Sequence, residues 1–318
     1  MASNRDPKQL FHASLEGNTR RAIDLRQVEL KMKRMIPRDV VRAWLIASLL
    51  MLASTAAAGV TPPIGASAAP LDLSGAASEI LGAAHSHRLL LIGELHGTRE
   101  SPAVLLQLAT DYAADGPVLV GLEIQASEQT AIRRYLDSDG GAEQRMRLRS
   151  GSFWQDVPAH NDGRRNSEVL DLIEGIRRLR RAGRDVAVLA IDVGILGSSD
   201  SQARDLVMAR RVRTAFEHLP RGRMLVLVGN VHAMREKPDY APAEMQEPMG
   251  SYLIDLSPFA VNLTARSGQF WACMDAGCGP REMNDLGLRS GPSGGHPYDY
   301  ELVLPRYSLA HLVGTGAK

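Results

Sequence analysis

Two tetrapeptides carry the chemistry of this chain most openly: Gly93-Glu94-Leu95-His96 and Gly229-Asn230-Val231-His232. Each ends in histidine, the side chain that exchanges a proton near neutral pH. Each opens with glycine, which lets backbone approach a ligand closely. Two more acids, Glu123 and Asp192, close aliphatic runs of their own. His96 or His232 could take a proton from water or a substrate hydroxyl, with Glu94, Glu123 or Asp192 orienting the imidazole and stabilising its charged form. Arg99 and Arg164 are candidates to hold an anionic group or a developing oxyanion, and Asn230 and Asp192 to contact substrate. His96, His232 and a carboxylate from Glu94 or Glu123 also make a two-His, one-carboxylate set that would suit Zn, Mn, Co or Fe. The chain has no compact H-E-x-x-H motif, so the fold would have to assemble such a site. Spacing does not distinguish which histidine is the base.

These residues need a scaffold that brings distant segments together. Four near-continuous aliphatic runs, 88–96, 117–125, 185–193 and 224–232, read as strands covered on both faces. Helical patterns separate them: one opening at Ser101-Pro102 and running to about Ala114, a second from Ser127, a third from Asn166 or Ser167 to Ala182-Gly183, and a fourth from 199–201 to Leu219-Pro220. Strand–helix–strand alternation predicts an α/β fold, a mostly parallel central sheet with helices on both faces. Short strands at 252–256, 260–265 and 300–304 would extend its C-terminal edge, and 277–298, rich in Gly, Pro, Ser and Asp, reads as loop. In such sheets ligands bind beyond the carboxyl ends of the strands. Each of the four runs ends in a candidate residue. Strand alternation would point Glu94 and His96 one way, and Asn230 and His232 likewise.

The two G-x-x-H turns resemble the paired motifs of the haem-uptake/Tiki-like superfamily, which includes ChaN-type proteins and is similar to erythromycin-esterase-type hydrolases. Gly97-Thr98-Arg99-Glu100, Leu122-Glu123, Asp162-Gly163-Arg164 and Arg204-Asp205-x-x-Met208-Ala209 extend the likeness over about 85–305. The resemblance implies His-dependent ester cleavage or metal-dependent proteolysis. It equally implies the alternative, a non-catalytic haem- or iron-binding uptake protein. A haem ligand would come from Tyr112, Tyr298, Tyr300 or His160.

The remaining residues set the context. The chain has 318 residues, 44% of them hydrophobic, and a net charge of +1. That excludes a mainly disordered chain and gives no reason to expect nucleic acid as partner. A small molecule, a peptide or haem is the expected ligand. Residues 1–58 hold ten Lys/Arg against five Asp/Glu, and 59–318 hold 27 against 31, so the positive excess is N-terminal. Lys31, Lys33, Arg34, Arg38 and Arg42 precede an apolar run at 43–53 and a small-residue A-x-A stretch at 54–59. This is the pattern of a secretory signal peptide cleaved after Ala58 or, as second choice, after Ala68, which predicts a periplasmic or secreted product. The expected organisation is a 1–30 extension or mis-assigned start, a 31–58 signal, a 59–84 lead-in and an 85–318 domain. Cys273 and Cys278, an even pair in an exported chain, suggest one disulfide. The basic run Arg177, Arg178, Arg180, Arg181 and Arg184 reads as a solvated helix face, while Phe153-Trp154 and Met208 read as core.

Overall fold

A computed structural model describes residues 72–155, 160–193, 201–274, 277–294 and 297–314. The expected signal peptide, the extension before it and half of the expected lead-in (59–71) lie outside these residues. Among the described residues, no helix is long and apolar enough to cross a membrane.

Helix α1 (Leu73–Ala83) opens the described chain, with the Asp72 carboxylate capping it through the Gly75 N–H at 2.8 Å. It packs Ala76, Ala77 and Ile80 into the core, so this part of the expected lead-in belongs to the domain. There follow β1 (Leu89–Glu94), α2 (Glu100–Tyr112), β2 (Val118–Gln125), a 3-10 turn (Ala126–Glu128), α3 (Gln129–Leu136) and α4 (Ala142–Arg149). After a 3-10 turn at Ser152–Gln155 come α5 (Ser167–Arg181), β3 (Val186–Asp192), α6 (Ser201–Glu217), β4 (Arg223–Gly229) and the single helical turn α7 (Asn230–Ala233). The chain closes with a 3-10 helix (Met249–Leu256), β5 (Phe259–Ala265), β6 (Gln269–Met274), β7 (Gly277–Glu282), β8 (Gly291–Pro292) and β9 (Tyr300–Leu304).

Seven strands form one sheet in the order β3-β2-β4-β1-β5-β9-β8. All pairs are parallel except β8 with β9. The α/β class follows from the aliphatic runs: strands buried on both faces need apolar residues at every position. β1 shows the division of labour, with Leu90 and Ile92 on one face and Leu89 and Leu91 on the other. The first face is covered by α1, α2, α3 and α5 through Ile80, Leu105, Leu108, Ile132, Leu172 and Ile176. The second is covered by α6 and the 249–256 helix through Met208, Val212, Met249 and Leu253. Each fully buried Leu or Ile contributes about 1.5–3 kcal/mol of transfer free energy. Phe153, Trp154 and Met208 are core residues, as their sequence context suggested.

Four expectations are corrected. Residues 252–256 are not a strand: Met249, Gly250 and Leu253 face the core at helical spacing, in a 3-10 helix. The expected loop 277–298 contains β7 and β8. β7 pairs antiparallel with β6 in a hairpin apart from the main sheet, with Cys273 opposite Cys278 and the two joined in a disulfide. Its Gly- and Pro-rich sequence hides a strand held by that covalent tie. The basic run on α5 is not wholly solvated, because Arg177 turns inward and donates to both oxygens of Glu174, at 2.7 and 3.0 Å. Finally, β4 ends at Gly229, so Asn230 and His232 stand on a helical turn rather than on alternating strand positions.

Candidate active site

The carboxyl ends of β1, β2, β3 and β4 meet at one rim. β1 pairs with β4 in a register that sets Glu94 beside Gly229. His96 lies just beyond Glu94 and its Nδ1 is 3.0 Å from Glu94 Oε1. Both motif glycines are required by close approach. A Cβ on Gly93 would lie 2.8 Å from Asn230 Cα, and one on Gly229 would lie 2.9 Å from His96 Nε2. Each glycine thus makes room for the other motif's turn.

Glu123, from β2, sits between the histidines. Its Oε2 accepts the Gly229 N–H at 2.8 Å and lies 3.6 Å from His96 Nε2. Its Oε1 accepts from Arg164 Nη1 at 3.0 Å and from Arg204 Nη2, and lies 3.8 Å from His232 Nε2. Asp192, at the end of β3, accepts from Arg164 Nη1 at 2.7 Å and from Arg204 Nε at 2.9 Å. Asp162 takes the other side of the Arg164 guanidinium, at 2.6 Å to Nη2 and 2.8 Å to Nε. The second histidine is oriented like the first: His232 Nδ1 is 2.6 Å from Asp205 Oδ1, which also accepts the Met249 N–H at 3.0 Å. Arg204 Nη1 lies 3.0 Å from His232 Nε2. A guanidinium can only donate, so this bond makes Nε2 of His232 the acceptor and puts the ring proton on Nδ1, facing Asp205.

The electrostatics follow from burial and partners. Burial pushes Glu123 up, but Arg164, His232, His96 and Arg204 outweigh it and hold the carboxyl well below its usual range. Asp162 and Asp192 are also lowered, their guanidinium partners overcoming burial. Both guanidiniums are raised despite burial, with Glu123 the leading partner. Glu94 goes the other way: burial dominates its bond to His96 and raises it. His96 is lowered by burial but raised more by Glu123 and Glu94, and ends above its ordinary value.

The predicted residues therefore divide. Glu94, His96, Glu123, Arg164, Asp192 and His232 meet at the rim. Arg99 does not join them, for its half-exposed side chain pairs with Glu168 at 3.6 Å. Asn230 spends its side-chain oxygen on the Val231 N–H at 2.9 Å. Three partners went unassigned in the sequence: Asp162, Arg204 and Asp205 complete the cluster, although all three stand in the segments that carried the family resemblance. The proposed metal donors His96, His232 and Glu94 do not converge as a ligand set. Both Nδ1 atoms are taken by carboxylates, both Nε2 atoms face Glu123, and the two guanidiniums occupy its Oε1. Among the described residues, no group of three or more His, Cys, Asp or Glu side chains is arranged to hold a metal ion. The four expected haem-ligand candidates are dispersed. Tyr112 stacks under Arg223, Tyr298 donates to the Asn230 carbonyl at 2.8 Å, Tyr300 reaches Glu79 at 3.3 Å, and His160 is exposed.

The chain matches no protein-family model and no curated protein. Solved structures do resemble it. A protein from Bacillus cereus superposes with a TM-score of 0.55 at 11% identity, over 76% of this chain and 99% of that one. A succinoglycan biosynthesis protein superposes with a TM-score of 0.50 at 11% identity, over 73% and 91%. An erythromycin esterase in its open conformation gives 0.49 at 13% identity, over 72% and 78%. What the first two likenesses establish is the fold: an α/β architecture shared along almost the whole length of each.

Proposed function

We propose that the protein is a hydrolase of ester or peptide bonds in which His96 is the general base. One observation carries this reading. Glu94 holds Nδ1 of His96, while among the described residues Nε2 makes no hydrogen bond, and that nitrogen faces the rim 3.6 Å from Glu123. A carboxylate on Nδ1 sets the tautomer, leaves the Nε2 lone pair for a water proton, and stabilises the imidazolium that forms. His232 differs, because its Nε2 already accepts from Arg204. In this arrangement His232 helps hold Arg204 in the cluster beside Arg164.

The experiment is a steady-state assay of the purified chain with p-nitrophenyl esters and a peptide library, comparing His96→Asn and His232→Asn with the parent. Loss of a general base lowers kcat/KM by about 10²–10⁴-fold, expected for His96→Asn with the fold intact by circular dichroism. A His96→Asn protein as active as the parent would refute the assignment.

A further inference from the structure

The hairpin of β6 and β7 belongs to neither face of the main sheet, yet its first strand touches both loops that carry the rim. Trp271 donates its backbone N–H to the His96 carbonyl at 2.9 Å and its indole Nε1–H to the Asn161 carbonyl at 2.6 Å. Gly97, at φ +67°, packs against Trp271 Cβ, and no larger residue would fit there. Asn161 is fully buried and organises the second loop. Its Oδ1 accepts the Gly163 N–H at 2.9 Å, and its Nδ2 donates to the carbonyls of Arg165 at 2.8 Å and Val313 at 3.2 Å. Between those anchors stand Asp162 and Arg164. One residue thus joins the His96 loop, through its backbone, to the Arg164 loop, through its indole.

The hairpin carries Trp271 to these contacts. A two-stranded ribbon is marginal by itself in water. This one is fixed at its base, by Met283 N–H to Gly268 O at 2.8 Å and Gln269 N–H to Tyr307 O at 3.2 Å, and near its tip by the Cys273–Cys278 disulfide. Cys273 lies two residues from Trp271 on the same strand face, and its Sγ is 3.9 Å from the same Asn161 carbonyl.

We propose that Trp271, secured by the Cys273–Cys278 disulfide, is a positioning residue that sets the His96 loop against the Arg164 loop. Its effect on catalysis rests on the hydrolase reading above; its effect on geometry does not. Trp271→Phe keeps the backbone bond to His96 and an aromatic ring but removes the indole donor. The double variant Cys273→Ser/Cys278→Ser keeps Trp271 and removes the tie. Both are to be compared with the parent by two readouts. The first is 15N NMR of the Arg164 Nε–H, assigned by its loss in Arg164→Lys, and of the His96 ring nitrogens, which report the tautomer. The second is the split between kcat and KM on the most reactive ester found.

Expected in both variants are a shifted and faster-exchanging Arg164 Nε–H and a partial loss of the single His96 tautomer, with Tm within a few degrees of the parent. Where the parent hydrolyses an ester, kcat falls on the order of 10²-fold, as a displacement of about 1 Å allows, with KM nearly unchanged. Unaltered Arg164 and His96 signals in both variants would overturn the proposal. If Trp271→Phe does not fold, the serine pair decides alone. Altered signals with a parent that cleaves nothing would uphold the positioning role and count against the hydrolase reading.

Discussion

Arg164 offers the sharpest test of the rim, and it can be made without knowing a substrate. Its guanidinium touches Glu123 at 3.0 Å, Asp192 at 2.7 Å and Asp162 at 2.6 Å, with the side chain 17% exposed. Replacement by Met keeps the length and removes the charge. Breaking a buried ion pair by deleting one partner costs about 3–5 kcal/mol. Here Arg204 still serves Glu123 and Asp192, so Arg164→Met should lie near the low end, about 3 kcal/mol at pH 7. For a domain of this size that lowers Tm by roughly 6–12 °C. The loss should also depend on pH in a definite direction. Glu123, Asp162 and Asp192 have depressed pKa values in the fold, so each contributes stability that is present above its unfolded pKa and is lost as pH falls through the folded one. Without Arg164 these carboxyls take up protons at higher pH and the uncompensated charge disappears. The difference between variant and parent should therefore be largest near neutrality and shrink below about pH 4, where ordinary carboxyls become protonated. The assay is equilibrium urea unfolding at pH 7 and pH 3.5, followed by circular dichroism. In a double-mutant cycle Glu123→Gln should couple to Arg164→Met by about 0.5–3 kcal/mol. A loss below about 1 kcal/mol at pH 7, or one equal at both pH values, would mean that the buried network does not exist as described.

Two further predictions concern the histidines. Because Glu123 and Glu94 outweigh burial at His96, the acid limb of kcat/KM should have its midpoint above 6.5, and Glu94→Gln should move it down while lowering the rate. The same shift means that His96 adds stability below pH 6.5 that is lost as pH rises through its folded value; a flat rate profile from pH 5 to 8, or an unmoved midpoint, would contradict this. Gly229→Ala would bring a Cβ to 2.9 Å from His96 Nε2 and 3.5 Å from the His232 ring, so activity should fall while the protein stays folded. Gly93→Ala meets backbone, Asn230 Cα at 2.8 Å, and should instead cost about 1–3 kcal/mol of stability, measurable by thermal unfolding.

The strands and the rim were legible because burial on both faces leaves a one-dimensional trace. Runs such as 88–96 and 224–232 need no partner to be recognised, and their polar last residues mark the sheet's carboxyl edge. What could not be read depends on three-dimensional pairing. Arg204 and Asp205 stand on α6, where charged side chains usually meet solvent, and only the fold turns them onto Asp192 and His232. Arg99 follows Gly97 closely, but it precedes the first turn of α2 and is drawn to Glu168. The strand reading of Asn230 and His232 failed at one hydrogen bond: the Gly229 N–H goes to Glu123 Oε2, and the chain then coils into α7. The β6–β7 hairpin left only its two cysteines as a signal, because glycine and proline mask the strand.

The composition of the rim argues that it was not assembled for stability. Among the described residues, Glu94, Glu123, Asp162, Asp192 and Asp205 gather around two guanidiniums, Arg164 and Arg204, so carboxylates outnumber guanidiniums in the described part of the cluster. Removing such charges from water costs several kcal/mol per ion, and an apolar filling of similar volume is often as stable or more so. A cluster like this holds together because each member fixes another. Asp162 and Asp192 fix Arg164; Arg204 fixes His232 through Nε2 while Asp205 fixes it through Nδ1; Glu94 fixes His96. Within that chain of constraints His96 Nε2 alone is left facing a carboxylate without a hydrogen bond among the described residues. On the proposed reading, the neighbouring carboxylates Glu94 and Glu123 would make the transient positive charge on His96 easier to bear at the moment a proton arrives, which is what a general base at neutral pH requires.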